Sequence, residues 1–166
     1  MAWPVLALAG TLLLSACVLG PAPDPPDFGY RMRGDTLVVA APRCASETVT
    51  SALVSVWVGE DGQRDGFDIL WSARGLRMEE AREGVFPVAG PGAAASYADV
   101  DKPLSGELPQ EFFVEVQFAG AGSADRDGTV DLRKLRGARL GEGEFMTWTG
   151  AVLTREQIDA QLKCRR

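Results

Sequence analysis

Between Glu111 and Phe118 every second residue is apolar: Phe112, Val114, Val116 and Phe118 alternate with Glu111, Glu115 and Gln117, and Phe113 alone breaks the pattern. A period of two is the signature of a strand with one face in a core and the other in water. The same reading extends over much of the chain. Thr36 to Ala41 is a short candidate strand, and Val49 to Val58 is a longer, valine-rich one. After the polar stretch Gly59 to Gly66, Phe67, Ile69 and Trp71 alternate with Asp68, Leu70 and Ser72, which predicts a hairpin with a polar tip. Gly84 to Ala89 is a further short strand, confined to a sheet edge by Pro87. From Gly90 through Tyr97 to Pro109 no period is visible, and a long loop is expected. Thr129 to Leu135 sets Val130, Leu132 and Leu135 against Asp131 and Arg133, and Glu144 to Leu153, with Phe145, Trp148 and Val152, supplies a last long apolar strand.

The period changes at Thr154. Thr154-Arg155-Glu156-Gln157 has the form of a capping box, Leu153 is placed to staple onto Ile158, and Ile158 and Leu162 lie one turn apart on one face. A helix from about Arg155 to Lys163 is predicted, with Lys163, Arg165 and Arg166 complementing its dipole. Six or seven strands and one terminal helix make the fold mainly β: a single antiparallel β-sandwich with a short C-terminal α-helix. The spacing from Cys44 to Trp57 resembles the cysteine-to-tryptophan spacing of immunoglobulin-like sandwiches, although Cys164 falls on the terminal helix instead of a late strand.

The apolar run Val5 to Leu14 is too short for a membrane span, which needs about 20 residues, and has the length of a signal-peptide core. It leads into Leu14-Ser15-Ala16-Cys17, which resembles the lipobox of bacterial lipoproteins, although Met1-Ala2-Trp3-Pro4 lacks the usual basic residue. The resemblance implies cleavage before Cys17, covalent diacylglycerol on its sulfur with room for a further acyl chain on the new amino terminus, no other cofactor, and an extracytoplasmic, lipid-anchored protein. It would sit on the cell membrane, or on the outer membrane of a cell that has one. Two or three acyl chains give stable anchoring, at roughly 0.8 kcal/mol per buried CH₂. Pro21, Pro23, Pro25 and Pro26 favour an extended tether, at about 3.1 Å per residue. The expected organisation is therefore a signal peptide over 1–16, lipidated cysteine and tether over 17–34, and the sandwich domain over 35–166.

The cysteine count agrees with this organisation. With Cys17 acylated, Cys44 and Cys164 remain, and an oxidising compartment permits them to bridge the start of the domain to its end. Such a bridge would pin the terminal helix, so that its loss loosens the helix before it unfolds the sheet. Neither CxxC spacing nor any histidine is present to build a zinc site. The 17 basic and 23 acidic residues of the 166 give a net charge of -6, which argues against nucleic acid and against electrostatic docking on anionic lipid. The partners expected are the bilayer, through Cys17, and an envelope protein or cell-wall polymer.

Three groups of residues invite a functional reading. Ser123 to Asp131 resembles a calcium loop, with Asp125, Asp127 and Asp131 at ligand positions and Gly128 at the sharp turn, but Lys134 stands where the bidentate carboxylate belongs. The alternative for this segment is a polar hairpin turn. Glu60, Asp61, Asp65 and Asp68 cluster at the first hairpin and offer paired carboxylates for acid–base chemistry. Histidine-dependent triads are excluded, and no GxSxG or SxxK pattern occurs. Trp57, Trp71 and Trp148 could line a carbohydrate platform, but their apolar-rich strands favour core positions, with one of the three exposed. No catalytic residue is assigned. The favoured reading is a non-catalytic binding or structural module; its competitor is a small carboxylate-dependent hydrolase using Asp61 and Asp65.

Overall fold

The computed structural model describes residues 25–59, 66–90, 92–120 and 123–164; the expected signal peptide, Cys17, most of the proline run and the hairpin tip 60–65 lie outside them. Among the described residues, ten strands form two five-stranded antiparallel sheets packed face to face. The first contains β1 (Gly29–Arg33), β2 (Thr36–Ala40), β5 (Val85–Val88), β9 (Glu144–Thr147) and β10 (Val152–Thr154), in the order β10-β9-β1-β2-β5. The second contains β3 (Thr48–Val58), β4 (Gly66–Leu76), β6 (Tyr97–Lys102), β7 (Glu111–Ala119) and β8 (Arg126–Asp131), in the order β6-β4-β3-β7-β8. Two short helices, α1 (Met78–Glu83) and α2 (Arg155–Asp159), complete it.

The core lies between the sheets. Tyr30, Leu37, Val39, Phe86 and Val88 face inward from the first sheet, and Val54, Trp71, Phe112, Val114, Val116 and Val130 from the second; all are buried. Each such side chain contributes roughly 1.5–3 kcal/mol by leaving water. Tyr30 ties the two layers at one end. Its hydroxyl lies 3.3 Å from the carbonyl of Asp131 at the end of β8 and 3.2 Å from that of Thr147 at the end of β9, so a single proton is shared between the sheets. Burial raises its pKa above the ordinary phenol value.

Several boundaries differ from the sequence expectation, each for a physical reason. The domain starts before residue 35: Phe28 and Tyr30 are buried, and β1 occupies the centre of its sheet between β9 and β2. The ring of Phe28 lies over Gly128, where a Cβ would stand 2.5 Å from it, so β8 admits only glycine there. The loop expected from Gly90 to Pro109 contains β6, an edge strand whose single core residue, Tyr97, leaves no periodic signal. The strand expected from Glu144 to Leu153 is a hairpin, turned at Gly150 with φ 87°. Beyond Asp131 the chain tightens into a 3-10 turn over Leu132–Leu135, because the Asp131 carboxylate caps the Arg133 amide at 3.0 Å.

β5 lies at its sheet edge, as Pro87 requires. The immunoglobulin pattern of a tryptophan packed on an inter-sheet disulfide is not present. Cys44 and Cys164 are bonded, with Cα atoms 5.6 Å apart, but they join the loop after β2 to the tail after α2 at the surface.

The C-terminal segment closes over the outer face of the first sheet. Thr154 and Gln157 form the expected capping box, yet α2 ends at Asp159, four residues before the predicted Lys163. Ile158 is fully buried against Val38, Ala40 and Phe145, with Leu153 and Val85 alongside. Gly29 makes room for it: a Cβ there would lie 2.4 Å from Ile158 Cδ1. Polar contacts fasten the same segment. Asp159 accepts from the Arg43 amide at 2.8 Å and is held by the Arg155 guanidinium, which also donates to the Gly84 carbonyl at 3.0 Å. Gln161 exchanges two hydrogen bonds with the backbone of Asp27, at 2.8 and 2.9 Å.

The disulfide closes a loop of 120 residues, for which chain entropy suggests about 4–5 kcal/mol. With Ile158 and Asp159 holding α2 independently, its loss falls first on the tail. In a Cys164→Ala variant, amides of residues 160–164 should exchange by local opening that no longer follows the denaturant dependence of β3 and β7. Hydrogen exchange at several urea concentrations reads this directly, and tail protection still coupled to the core strands would refute it.

Candidate functional site

The outer face of the second sheet carries the most unusual surface of the molecule, and a register shift creates it. Val54 pairs with Trp71 but Ser55 pairs with Ile69, so Leu70 is an extra residue bulged out of β4. A one-residue insertion reverses which side of the strand faces the core. Trp71 and Ala73 therefore point inward, while Phe67 and Ile69 point out, with exposures of 53% and 41%. A second shift, between Val49 and Ser51 in the pairing of β3 with β7, does the same to β3. Val49, Ala52 and Val54 are buried in the core; Leu53, Ser55 and Trp57 take the outer side, where Trp57 is 39% exposed. Phe113, the residue that interrupts the alternation of β7, also faces outward.

These side chains form one cluster. The Trp57 and Phe67 rings stack with centroids 3.8 Å apart, and Phe113 meets both edge-on at 6.1 and 5.6 Å. Below the cluster is an open depression of about 420 Å³ lined by Leu53, Ser55, Phe67, Ile69, Phe113, Glu115 and Asp127. Glu115 and Asp127 stand directly opposite each other on β7 and β8. Neither makes an ion pair among the described residues, whereas several other acids of this sheet do. Asp101 and Asp99 hold Arg74 at 3.0 and 3.7 Å, Asp68 meets Lys102 at 3.5 Å, and Glu111 holds Arg133 at 2.9 Å. Toward the other end of the sheet the face turns polar, through Ser51, Ser72, Arg74 and Gln117, with Ser51 donating to Gln117 at 2.7 Å.

The candidates from sequence fare unevenly. Asp125, Asp127 and Asp131 do not converge. Asp127 and Asp131 lie on the extended strand β8, four residues and so about 13 Å of chain apart, and Asp125 is exposed just before it. Asp131 is buried and already saturated, accepting from Arg133 N, Nε and Nη2 at 3.0, 2.8 and 2.9 Å. The calcium loop is thus a strand with a capping aspartate, and among the described residues no cluster of three or more His, Cys, Asp or Glu is placed to hold a metal. Glu60, Asp61 and Asp65 fall outside the described residues, and Asp68 is an exposed partner of Lys102. Of the three tryptophans only Trp71 is buried, at 3% exposure; it meets Tyr97 edge-on at 5.4 Å. Trp57 and Trp148 are both exposed, where one exposed tryptophan is expected from the sequence. Lys134 lies over the Trp148 ring at 4.5 Å, a cation–π contact. Cys17 lies outside the described residues.

Sequence reading did not find the pairing of Glu115 with Asp127 or the outward turn of Phe67 and Ile69. The available signal was Phe113, an apolar residue at a polar phase of the clearest strand. No protein-family model, no curated protein and no solved structure matches the chain.

Two measurements follow from these positions. Phe67→Ser should cost less than about 1 kcal/mol because the ring is mostly in water, whereas Trp71→Ala should cost roughly 3–5 kcal/mol. Urea unfolding separates the two, and equal losses would mean that the bulge does not divide β4 as described. The Arg133 hydrogen bonds hold the Asp131 carboxyl below its ordinary pKa. Its stabilisation is present above the unfolded value and is lost as pH falls through the depressed one. Asp131→Asn should therefore lower stability near neutrality by roughly 1–2 kcal/mol, with the deficit narrowing below pH 4; a deficit constant with pH would contradict this role.

Proposed function

We propose that this chain is a lipoprotein of the bacterial envelope, fastened to the membrane by diacylglycerol on Cys17, whose sandwich is a non-catalytic module that binds another envelope protein. The observation that carries the binding role is the cluster of Trp57, Phe67, Ile69 and Phe113 on the outer face of a sheet. Large rings in water contribute little to folding, and rings of this type dominate the energy of protein interfaces. The arrangement favours a protein over a polysaccharide. A sugar stacks on an open, flat ring face, whereas Trp57 and Phe67 each turn one face to the other and Phe113 stands at 90° to Phe67. The anchor rests on Leu14-Ser15-Ala16-Cys17, and the disulfide between Cys44 and Cys164 suits the oxidising compartment to which that motif would deliver the chain.

Both parts are open to one set of measurements on the chain produced in a bacterial host. Intact mass should show a mature protein beginning at Cys17 and carrying diacylglycerol, and Cys17→Ala should retain its leader and the unmodified mass. A photo-crosslinking residue in place of Phe67 should yield a discrete adduct in intact envelopes, while the same residue in place of Val152, exposed on the other sheet, should not. An unmodified Cys17 would overturn the anchor, and identical adducts from both positions would overturn the binding face.

A further inference from the structure

Resting on that binding face, we infer the chemistry of what it holds: a basic peptide segment that sets a lysine or arginine beside a large apolar side chain, the cation between Glu115 and Asp127 and the apolar group on the Trp57–Phe67–Phe113 cluster. Among the described residues, the charged side chains that line the depression beneath the rings are these two carboxylates. Facing each other across β7 and β8, they repel, since like charges directly opposite in a sheet are destabilising. Among the described residues, Asp101, Asp68 and Glu111 on the same sheet pair with Arg74, Lys102 and Arg133, whereas no cation pairs with Glu115 or Asp127. A cation arriving from outside relieves the repulsion and gains two charge-assisted contacts at once.

The spacing is that of a peptide. Phe113 and Glu115 are two residues apart on β7, which sets the ring and the carboxylate about 7 Å apart. Side chains at i and i+2 of an extended segment, or at i and i+4 of a helix, present a basic and an apolar group at a similar distance. A second copy of this chain does not fit. A two-fold contact through this face would bring Glu115 and Asp127 against themselves, in a chain of net charge -6. The same net charge draws cationic partners and makes their capture dependent on salt.

The test uses the intact exported protein in zwitterionic nanodiscs and three probes: a soluble Lys-Leu repeat peptide, its Glu-Leu counterpart and the neutral sugar chitotetraose. Binding is read from the indole NMR signals of Trp57 and Trp148. The Lys-Leu peptide should shift Trp57 and bind more weakly as salt is raised. The double variant Glu115→Gln, Asp127→Asn should reduce its affinity at least tenfold while the protein stays folded. The double variant Asp35→Asn, Glu142→Gln makes the same change of charge at exposed positions on the other side of the molecule and should leave affinity unchanged. Equal losses in both double variants would reduce the effect to net charge and overturn the proposal, as would equal binding of the Glu-Leu peptide, a Trp57 shift with chitotetraose alone, or no shift with any probe. A Phe67 crosslink in envelopes together with silence from the Lys-Leu peptide would refute this chemistry while leaving the binding face intact; loss of both would remove the face itself.

Discussion

The extra residue in β4 governs what the molecule can present to its surroundings. A strand that keeps a strict period of two commits all its alternate residues to one side, and Phe67, Ile69 and Trp71 would then share the core. Leu70 breaks that commitment, because β3 advances one residue from Val54 to Ser55 while β4 advances two. The core keeps Trp71, and the outer face receives Phe67 and Ile69. Without the bulge the ring of Trp57 would have no stacking partner, and the depression beside Glu115 would lose its wall. The packing of the core and the character of the surface are thus set by the same local irregularity, which fits the tendency of bulges to re-aim side chains near functional sites.

The sequence showed most of the fold wherever one face of a strand was dry and the other wet. Phe112, Val114, Val116 and Phe118 marked β7 unambiguously, and Thr154 with Gln157 marked the start of α2. Legibility failed where something other than pleating decided the outcome. β6 has one core residue, so no period exists to read. α1 packs only Ala81 inward and ends at Gly84, too short to show helical periodicity. The strand expected through Leu135 stops at Asp131 because a side-chain cap outcompetes the ladder. The outer face was invisible for a related reason. Bulges carry no reliable residue signature, so Trp57 read as a core residue and Phe113 as a mere exception.

Charge is handled very differently inside the molecule and on that face. Glu47 is 97% removed from solvent, yet its carboxylate is fully engaged, by Arg126 at 2.8 Å and the Cys44 amide at 2.7 Å. Arg126 in turn lies over the Phe118 ring at 4.5 Å. Removing either partner of such a pair would strand a buried charge, which costs far more than the pair itself contributes. This assembly stands beside Cys44, and Arg43 extends it to Asp159 and the C-terminal segment. Disulfide, ion pair and terminal helix therefore form one fastening at one end of the sandwich. Glu115 and Asp127, by contrast, face each other on the open sheet with no ion pair among the described residues.

The two outer faces of the sandwich make the same point in apolar terms. Each sheet places apolar residues on its outer side: Val38, Ala40 and Phe145 on the first, Leu53, Trp57, Phe67, Ile69 and Phe113 on the second. The chain covers the first set with its own α2, laying Ile158 over it beside Leu153 of β10 and clearing space at Gly29 for the purpose. Among the described residues nothing comparable covers the second. Hiding an aromatic ring is worth a few kcal/mol to any fold, so a sequence shaped for stability alone has every reason to treat both faces alike. Among the described residues, one face is sealed by the chain and the other stands open beside two carboxylates without an ion pair, an asymmetry that folding energetics does not account for and that the proposed partner, carrying apolar and basic groups, would.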